Sequence, residues 1–88
     1  MLRLTRTIRL PHDVVLVLEG QIVGEWVELL EAECLELLDT HRKLFLDLAN
    51  VSYLDRRGVR LLGKLAARSV ILINCPSLLY ELVEEDAS

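Results

Sequence analysis

Two short apolar runs flank one amphipathic stretch in the first half of the chain, and this arrangement restricts the fold more than any other feature. Residues 14–18 are uninterrupted and mostly β-branched, which is typical of a strand buried on both faces. Residues 44–48 form a second, mostly apolar run that contains Asp47. Between them, apolar side chains recur at helical spacing over residues 24–40. A helix that carries the chain from one buried strand to the next predicts a crossover connection within one sheet.

Charge is segregated between this helix and the next one. Residues 25–39 carry six carboxylates and no cation, whereas residues 56–68 carry five cations and no anion. The net charge of −4 argues against a general nucleic-acid binder, which needs a positive field to recruit phosphates. The two helices could pair their charges with each other as neighbours, or with their counterparts in a second copy, which would give a homodimer.

The remaining segments predict four further elements. Alternation over residues 2–10 indicates an edge strand with one wet face, although Arg6 breaks the pattern, and a turn at 11–13 would make a hairpin. A helix at 56–68, a strand at 69–73 and a short helix after Pro76 complete the chain. The apolar positions predicted to face the core from the last two helices are Val59, Leu62, Leu65, Ala66, Leu78, Leu79, Leu82 and Val83.

The elements follow in the order strand, strand, helix, strand, helix, strand, helix. This order predicts an α/β fold with a mixed four-stranded sheet and crossover helices. The 88 residues have room for one modest core, so we expect a single domain over residues 1–88.

The segment Asp55-Arg56-Arg57-Gly58 stands between the third predicted strand and the second predicted helix. It resembles the Asp-Ser-Ser-Gly or Asp-Ser-Thr-Gly element of the STAS family, whose best-known members are the bacterial anti-sigma factor antagonists. Residues 18–22 and 70–76 are similar to two other family segments, and the order of elements is that of the STAS fold. Asp55 is also a good N-cap for the helix that follows.

The sequence departs from the family's pattern at three points. Arg56 stands where the phosphorylatable Ser or Thr would be, and it offers a kinase no hydroxyl. Val23 replaces a common Asp, and the chain ends before the strand and helix with which many members continue. The connection at 67–69 also lacks its common Gly. The sequence thus resembles a short, divergent member without the usual phosphorylation switch.

The resemblance implies a non-catalytic protein-interaction module in bacterial signalling and transcription regulation, with a partner similar to a serine kinase anti-sigma factor. The alternative is a small STAS subunit that regulates a membrane transporter for lipids or anions, through the transporter ATPase. The cations of the second helix would face an acidic or phosphorylated surface, or would simply be solvated. The expected partner-binding residues are Asp55, Arg56, Arg57, Arg60, Lys64, Gln21 and Val23.

A small enzyme or a nucleotide-binding domain is a more distant alternative, because no catalytic motif is evident. His12 and His41 fall in predicted turns, and Asp47 and Asp55 have simpler structural roles. No cofactor or metal is expected, since there is no Gly-rich phosphate loop and no Cys/His cluster. Two cysteines, no apolar run of about 18 residues and no secretory signal predict a cytoplasmic protein without membrane insertion. The residues considered as structural thiols, substitute phosphorylation sites or an interface anchor are Cys34, Cys75, Ser52, Ser77 and Trp26.

Overall fold

The computed structural model of the chain describes residues 1–10, 13–40 and 43–87. The turn predicted at 11–13 falls largely outside these residues, as do both histidines. The elements are β1 (Leu2–Leu10), β2 (Asp13–Ile22), α1 (Glu25–Thr40), β3 (Lys43–Leu54), α2 (Arg56–Ala67), β4 (Ile71–Ile73) and α3 (Ser77–Ala87).

The sheet has the strand order β1-β2-β3-β4. β1 pairs antiparallel with β2, whereas β3 lies parallel to both β2 and β4. Each parallel pair is joined through a helix, α1 for the first and α2 for the second. The predicted α/β fold, with a mixed four-stranded sheet and crossover helices, is therefore confirmed, and β1 is an edge strand as expected.

One face of the sheet packs against the helices and contains the core. Leu16 and Leu46 point to this face from the two central strands, and Leu30 and Leu62 meet them from α1 and α2, all without solvent exposure. On the opposite face Val15 is also buried, at 6% exposure, although it lies outside this cluster. The prediction that residues 14–18 are buried on both faces is therefore correct except at Val17, which is only half-buried.

Two strands differ in length from their predictions. β3 continues from Lys43 to Leu54 instead of ending near residue 48, because two register shifts let it stay paired with β2 as far as Ile22. β4 is shorter than residues 69–73, because Ser69 adopts a left-handed conformation with φ of 72° that closes the end of α2. Val70 then connects this turn to β4, which begins at Ile71.

The buried stripe of α2 was predicted wrongly in part. The helix buries Gly58, Leu61, Leu62 and Leu65, which are spaced i, i+3, i+4 and i+7. Ala66 is exposed and Val59 is only half-buried, at the margin of the core. Gly58 lies in the middle of the packed face but has no apolar side chain. A prediction from apolar residues alone therefore placed the buried stripe too far toward Val59 and Ala66.

In α3 the prediction was correct for only two of four residues. Leu79 and Val83 are buried, whereas Leu78 and Leu82 are 70% and 39% exposed. The helix is attached along one narrow stripe, because it packs mainly against its neighbour α2.

The position of Arg6 explains why this residue interrupts the alternation of apolar and polar residues in β1. Its register partner is Leu16, so its side chain points to the helix-covered face at the edge of the sheet. There the guanidinium makes a two-pronged ion pair with Glu33 of α1. This ion pair between β1 and α1 thus covers the solvent-exposed edge of the core.

Candidate functional site

Asp55 connects the two strand-to-helix junctions at the carboxyl ends of β2 and β3. Its Oδ1 accepts a hydrogen bond from the Gly58 amide at 2.8 Å, as predicted for an N-cap of α2. Its Oδ2 accepts one from the Gly24 amide at 2.8 Å, immediately before α1. These two backbone donors, Gly24 first, lower the pKa of Asp55. A single carboxylate therefore holds the starts of both helices together.

Gly58 allows α2 to begin in contact with the end of β2. A Cβ atom at this position would lie 2.5 Å from the carbonyl oxygen of Ile22, closer than carbon atoms approach. The Asp55 amide also donates to that same oxygen at 3.3 Å. As a result, Gln21 and Val23, which lie on either side of Ile22, are at the same end of the sheet as the start of α2.

Two of the cations predicted to bind a partner are paired within the chain. Arg57 Nη2 lies 2.8 Å from Glu28 Oε1, and Lys64 Nζ lies 2.8 Å from Glu31 Oε2. Both pairs join α2 to α1. The charge segregation of the two helices is thus explained by their being neighbours, and it no longer requires a second copy. Exposed pairs of this kind contribute at most about 1 kcal/mol each to stability.

The other two cations, Arg56 and Arg60, are exposed and i, i+4 apart on the outer side of α2. Within the described residues neither has an ion-pair partner. Arg60 also lines a shallow groove of about 260 Å³ between α1 and α2, whose floor includes Val27 and Leu61. The outer surface of α2 therefore presents unpaired positive charge next to apolar area.

The residues considered for other chemistry have structural roles. Cys34 is buried, and burial raises the pKa of its thiol to about 12. Burial also raises the pKa of Cys75. Neither thiol is therefore activated. Asp47 Oδ1 accepts from the Ala49 amide at 3.1 Å, a local contact within β3. Among the described residues, no group of three or more His, Cys, Asp or Glu side chains could hold a metal ion.

Three further side chains have simple positions. Ser52 Oγ donates to the Gly20 carbonyl oxygen at 3.2 Å. Ser77 is the exposed first residue of α3. Trp26 is half-buried against the core, which favours its interpretation as a cover of the core rim.

The family can be decided once this strand-to-helix geometry is compared with known proteins. The sequence model of the STAS domain matches residues 5–76, most of the chain. The chain belongs to the STAS family. Among solved structures, it is similar to the anti-sigma factor antagonist SpoIIAA in its unphosphorylated form, with a TM-score of 0.72 and 18% identity, over 96% of this chain and 80% of that one. No curated protein matches the chain.

This STAS membership shows a domain type that acts through protein interaction and is not known for catalysis. In the described part of the chain, no helix combines the length and apolar character needed to cross a membrane. Sequence reasoning missed the partners that organise the surface, namely Gly24 for Asp55 and the two glutamates for Arg57 and Lys64. The available signal was the segregation of carboxylates on α1 and cations on α2, which indicates that the helices pair their charges but not which residues pair.

Proposed function

We propose that this STAS domain is a cytoplasmic interaction module of bacterial signalling that binds its partner without phosphorylation control. The observation that supports this most is the position of Arg56. It stands where the family's Ser or Thr would be, as the exposed first residue of α2, with no ion-pair partner among the described residues. The protein would resemble an anti-sigma factor antagonist whose switch residue has been replaced.

The chemistry of the replacement sets the expected behaviour. Phosphorylation of a Ser here would add about −1.5 to −2 charges at the contact. Arg56 cannot be phosphorylated by a serine/threonine kinase and carries a positive charge. The charge of the surface at this position therefore does not change. An unchanging binder of this kind would associate with its partner whenever both are present.

The proposed contact surface consists of the outer face of α2 and the adjoining end of β2. Arg56 and Arg60 supply free positive charge, while Arg57 and Lys64 are partly neutralised by α1. The partner should therefore offer acidic or phosphorylated groups opposite the first two. A serine kinase anti-sigma factor is the proposed partner. Asp55 positions this surface, and Gln21 and Val23 lie at its rim.

The test is affinity capture followed by a measured affinity for the captured protein. The native chain is compared with an Arg56→Glu, Arg60→Glu variant. A matched control, Arg3→Glu with Arg68→Glu, makes the same change in charge at the edge strand and beyond the far end of α2. We expect a kinase-like protein that is held by the native chain and the control, with at least tenfold weaker binding to the first variant, with or without ATP.

Equal affinity of the native chain and the Arg56→Glu, Arg60→Glu variant would refute the proposed surface. Loss of binding by the native chain after incubation with kinase and ATP would refute phosphorylation independence. Retention of a transporter ATPase in place of a kinase would support the proposed contact surface but refute the proposed signalling partner. Circular dichroism of each variant shows whether it is folded.

A further inference from the structure

The face of the sheet opposite the helices has an apolar centre whose side chains lie outside the main core cluster. Val15 and Phe45 are register partners on β2 and β3, and Ile71 extends the same row onto β4. Val17 and Ile73 stand in the next row. None of these five side chains belongs to the main core cluster. Val15 is buried at 6% exposure, but Val17, Phe45 and Ile73 are half-buried and Ile71 is 39% exposed. An apolar patch on one face of a two-layer domain is typical of an interaction surface.

Two opposite charges lie at one end of this patch. Asp13 and Lys43 are register partners at the starts of β2 and β3, with side chains on the same face as Val15 and Phe45. Despite this proximity they form no ion pair with each other, and neither pairs with any other described residue. Both charges are therefore available to a molecule that covers the face.

We propose that this face binds the same face of a second copy of the chain. A twofold axis parallel to the strands, between β2 and β3, places β2 of one copy over β3 of the other. Asp13 then meets Lys43 of the second copy, and the symmetric contact repeats this pair. Val15 meets Phe45 in the adjacent row. The surface is thus complementary to itself in both charge and apolar character.

The size of the face sets the strength of this contact. Four strands about 4.8 Å apart and three rows about 6.6 Å apart along each strand give a face of about 400 Å² in projection. A stable interface buries about 800 Å² on each partner. We therefore expect a reversible dimer that dissociates on dilution.

Asp47 limits the affinity in this arrangement. It lies in the row of Val17 and Ile73 on the same face, and its carboxylate would lose water when the second copy covers it. Its described hydrogen bond is the one from the Ala49 amide. An Asn side chain could still accept that bond without a charge. Asp47→Asn should therefore tighten the dimer.

The sheet-face dimer is separate from the surface proposed for the protein partner. It uses the face opposite the helices, so Arg56 and Arg60 remain exposed in both copies. A dimer would then present two partner-binding surfaces, one on each outer side.

Sedimentation equilibrium of the purified chain at low salt tests the proposal over micromolar to near-millimolar concentrations. In the proposed dimer, Asp13→Lys alone places a lysine opposite Lys43 of the second copy. Lys43→Asp alone places an aspartate opposite Asp13 of the second copy. Each single variant should weaken the dimer about tenfold, because twofold symmetry repeats the altered contact. The double variant carrying both changes restores opposite charges and should regain most of the native affinity. Asp39→Lys on α1 and Arg68→Asp beyond α2 are matched controls and should leave it unchanged.

A chain that remains monomeric at the highest concentration would overturn the proposal. So would a dimer that is indifferent to both single variants, since it would form through another surface. A double variant no better than the singles would overturn the proposed axis. Asp47→Asn gives an independent readout, because the proposal predicts at least a threefold gain in affinity, whereas misfolding can only reduce it.

Discussion

On the helix-covered face of the sheet, Leu16 and Leu46 are completely buried, whereas on the opposite face Phe45 is half-buried and Ile71 is 39% exposed. The same strands supply both sets of residues, since side chains alternate from face to face. Burial of the apolar side chains on the covered face stabilises the folded single chain. The opposite face contributes less, because only Val15 is buried there and the other apolar side chains remain partly exposed.

The largest expected effect is the loss of stability when a residue on the helix-covered face is truncated, compared with a truncation on the opposite face. Leu46→Ala should reduce the free energy of unfolding by about 2–5 kcal/mol, because it leaves a cavity in the core. Val17→Ala removes apolar area from a half-buried position and should cost under about 1 kcal/mol. Urea denaturation of dilute, monomeric protein measures both. Equal losses would show that the two faces contribute alike to stability.

A smaller effect is expected at the junction that attaches the covering helices. Asp55→Ala removes the acceptor of the Gly24 and Gly58 amides and should cost about 1 kcal/mol at neutral pH. The folded pKa of Asp55 lies below its unfolded value of about 4. Its stabilisation is therefore present above about pH 4 and is lost as the pH falls through the folded pKa.

Urea titrations at neutral and acidic pH measure this linkage. The Asp55→Ala variant should lose less stability on acidification than the native chain. Asp39→Ala, which changes an exposed carboxylate on α1, is the control and should retain the native pH dependence. A steeper loss for Asp55→Ala would contradict the assignment of Asp55 as a stabilising carboxylate.

The smallest expected effect concerns the turn that returns the chain from α2 to the sheet. Ser69 has a φ of 72°, a conformation that glycine adopts more easily than serine. Ser69→Gly should raise the free energy of unfolding by about 0.5 kcal/mol, after allowance for the greater freedom of glycine in the unfolded chain. Ser69→Ala retains the Cβ atom and should show no gain. Calorimetric Tm values of both variants decide this point.

Periodicity and capping were enough to predict the order of elements and the N-cap role of Asp55. They failed where the residue pattern is not regular. Residues 49–54 were not predicted as strand, because two register shifts interrupt their alternation beside β2. The rotation of α2 was misjudged because Gly58, at the centre of its packed face, carries no apolar side chain.

The candidate site shows a different limit of sequence reasoning. Arg56, Arg57, Arg60 and Lys64 have similar charges, so the sequence alone could not say which of them are paired. That depends on which side of α2 faces α1, where Glu28 and Glu31 neutralise Arg57 and Lys64. Arg6 is a similar case, since its partner Glu33 lies 27 residues away in the chain.

The carboxylate of Asp55 has a further consequence for how fast a partner can bind. Because it ties the start of α1 to the start of α2, the proposed contact surface is ordered before the partner arrives. Association would then need no slow rearrangement of this domain, and charge attraction toward Arg56 and Arg60 would govern the encounter rate. We expect that rate to fall steeply as salt screens the attraction, while the lifetime of the complex changes little.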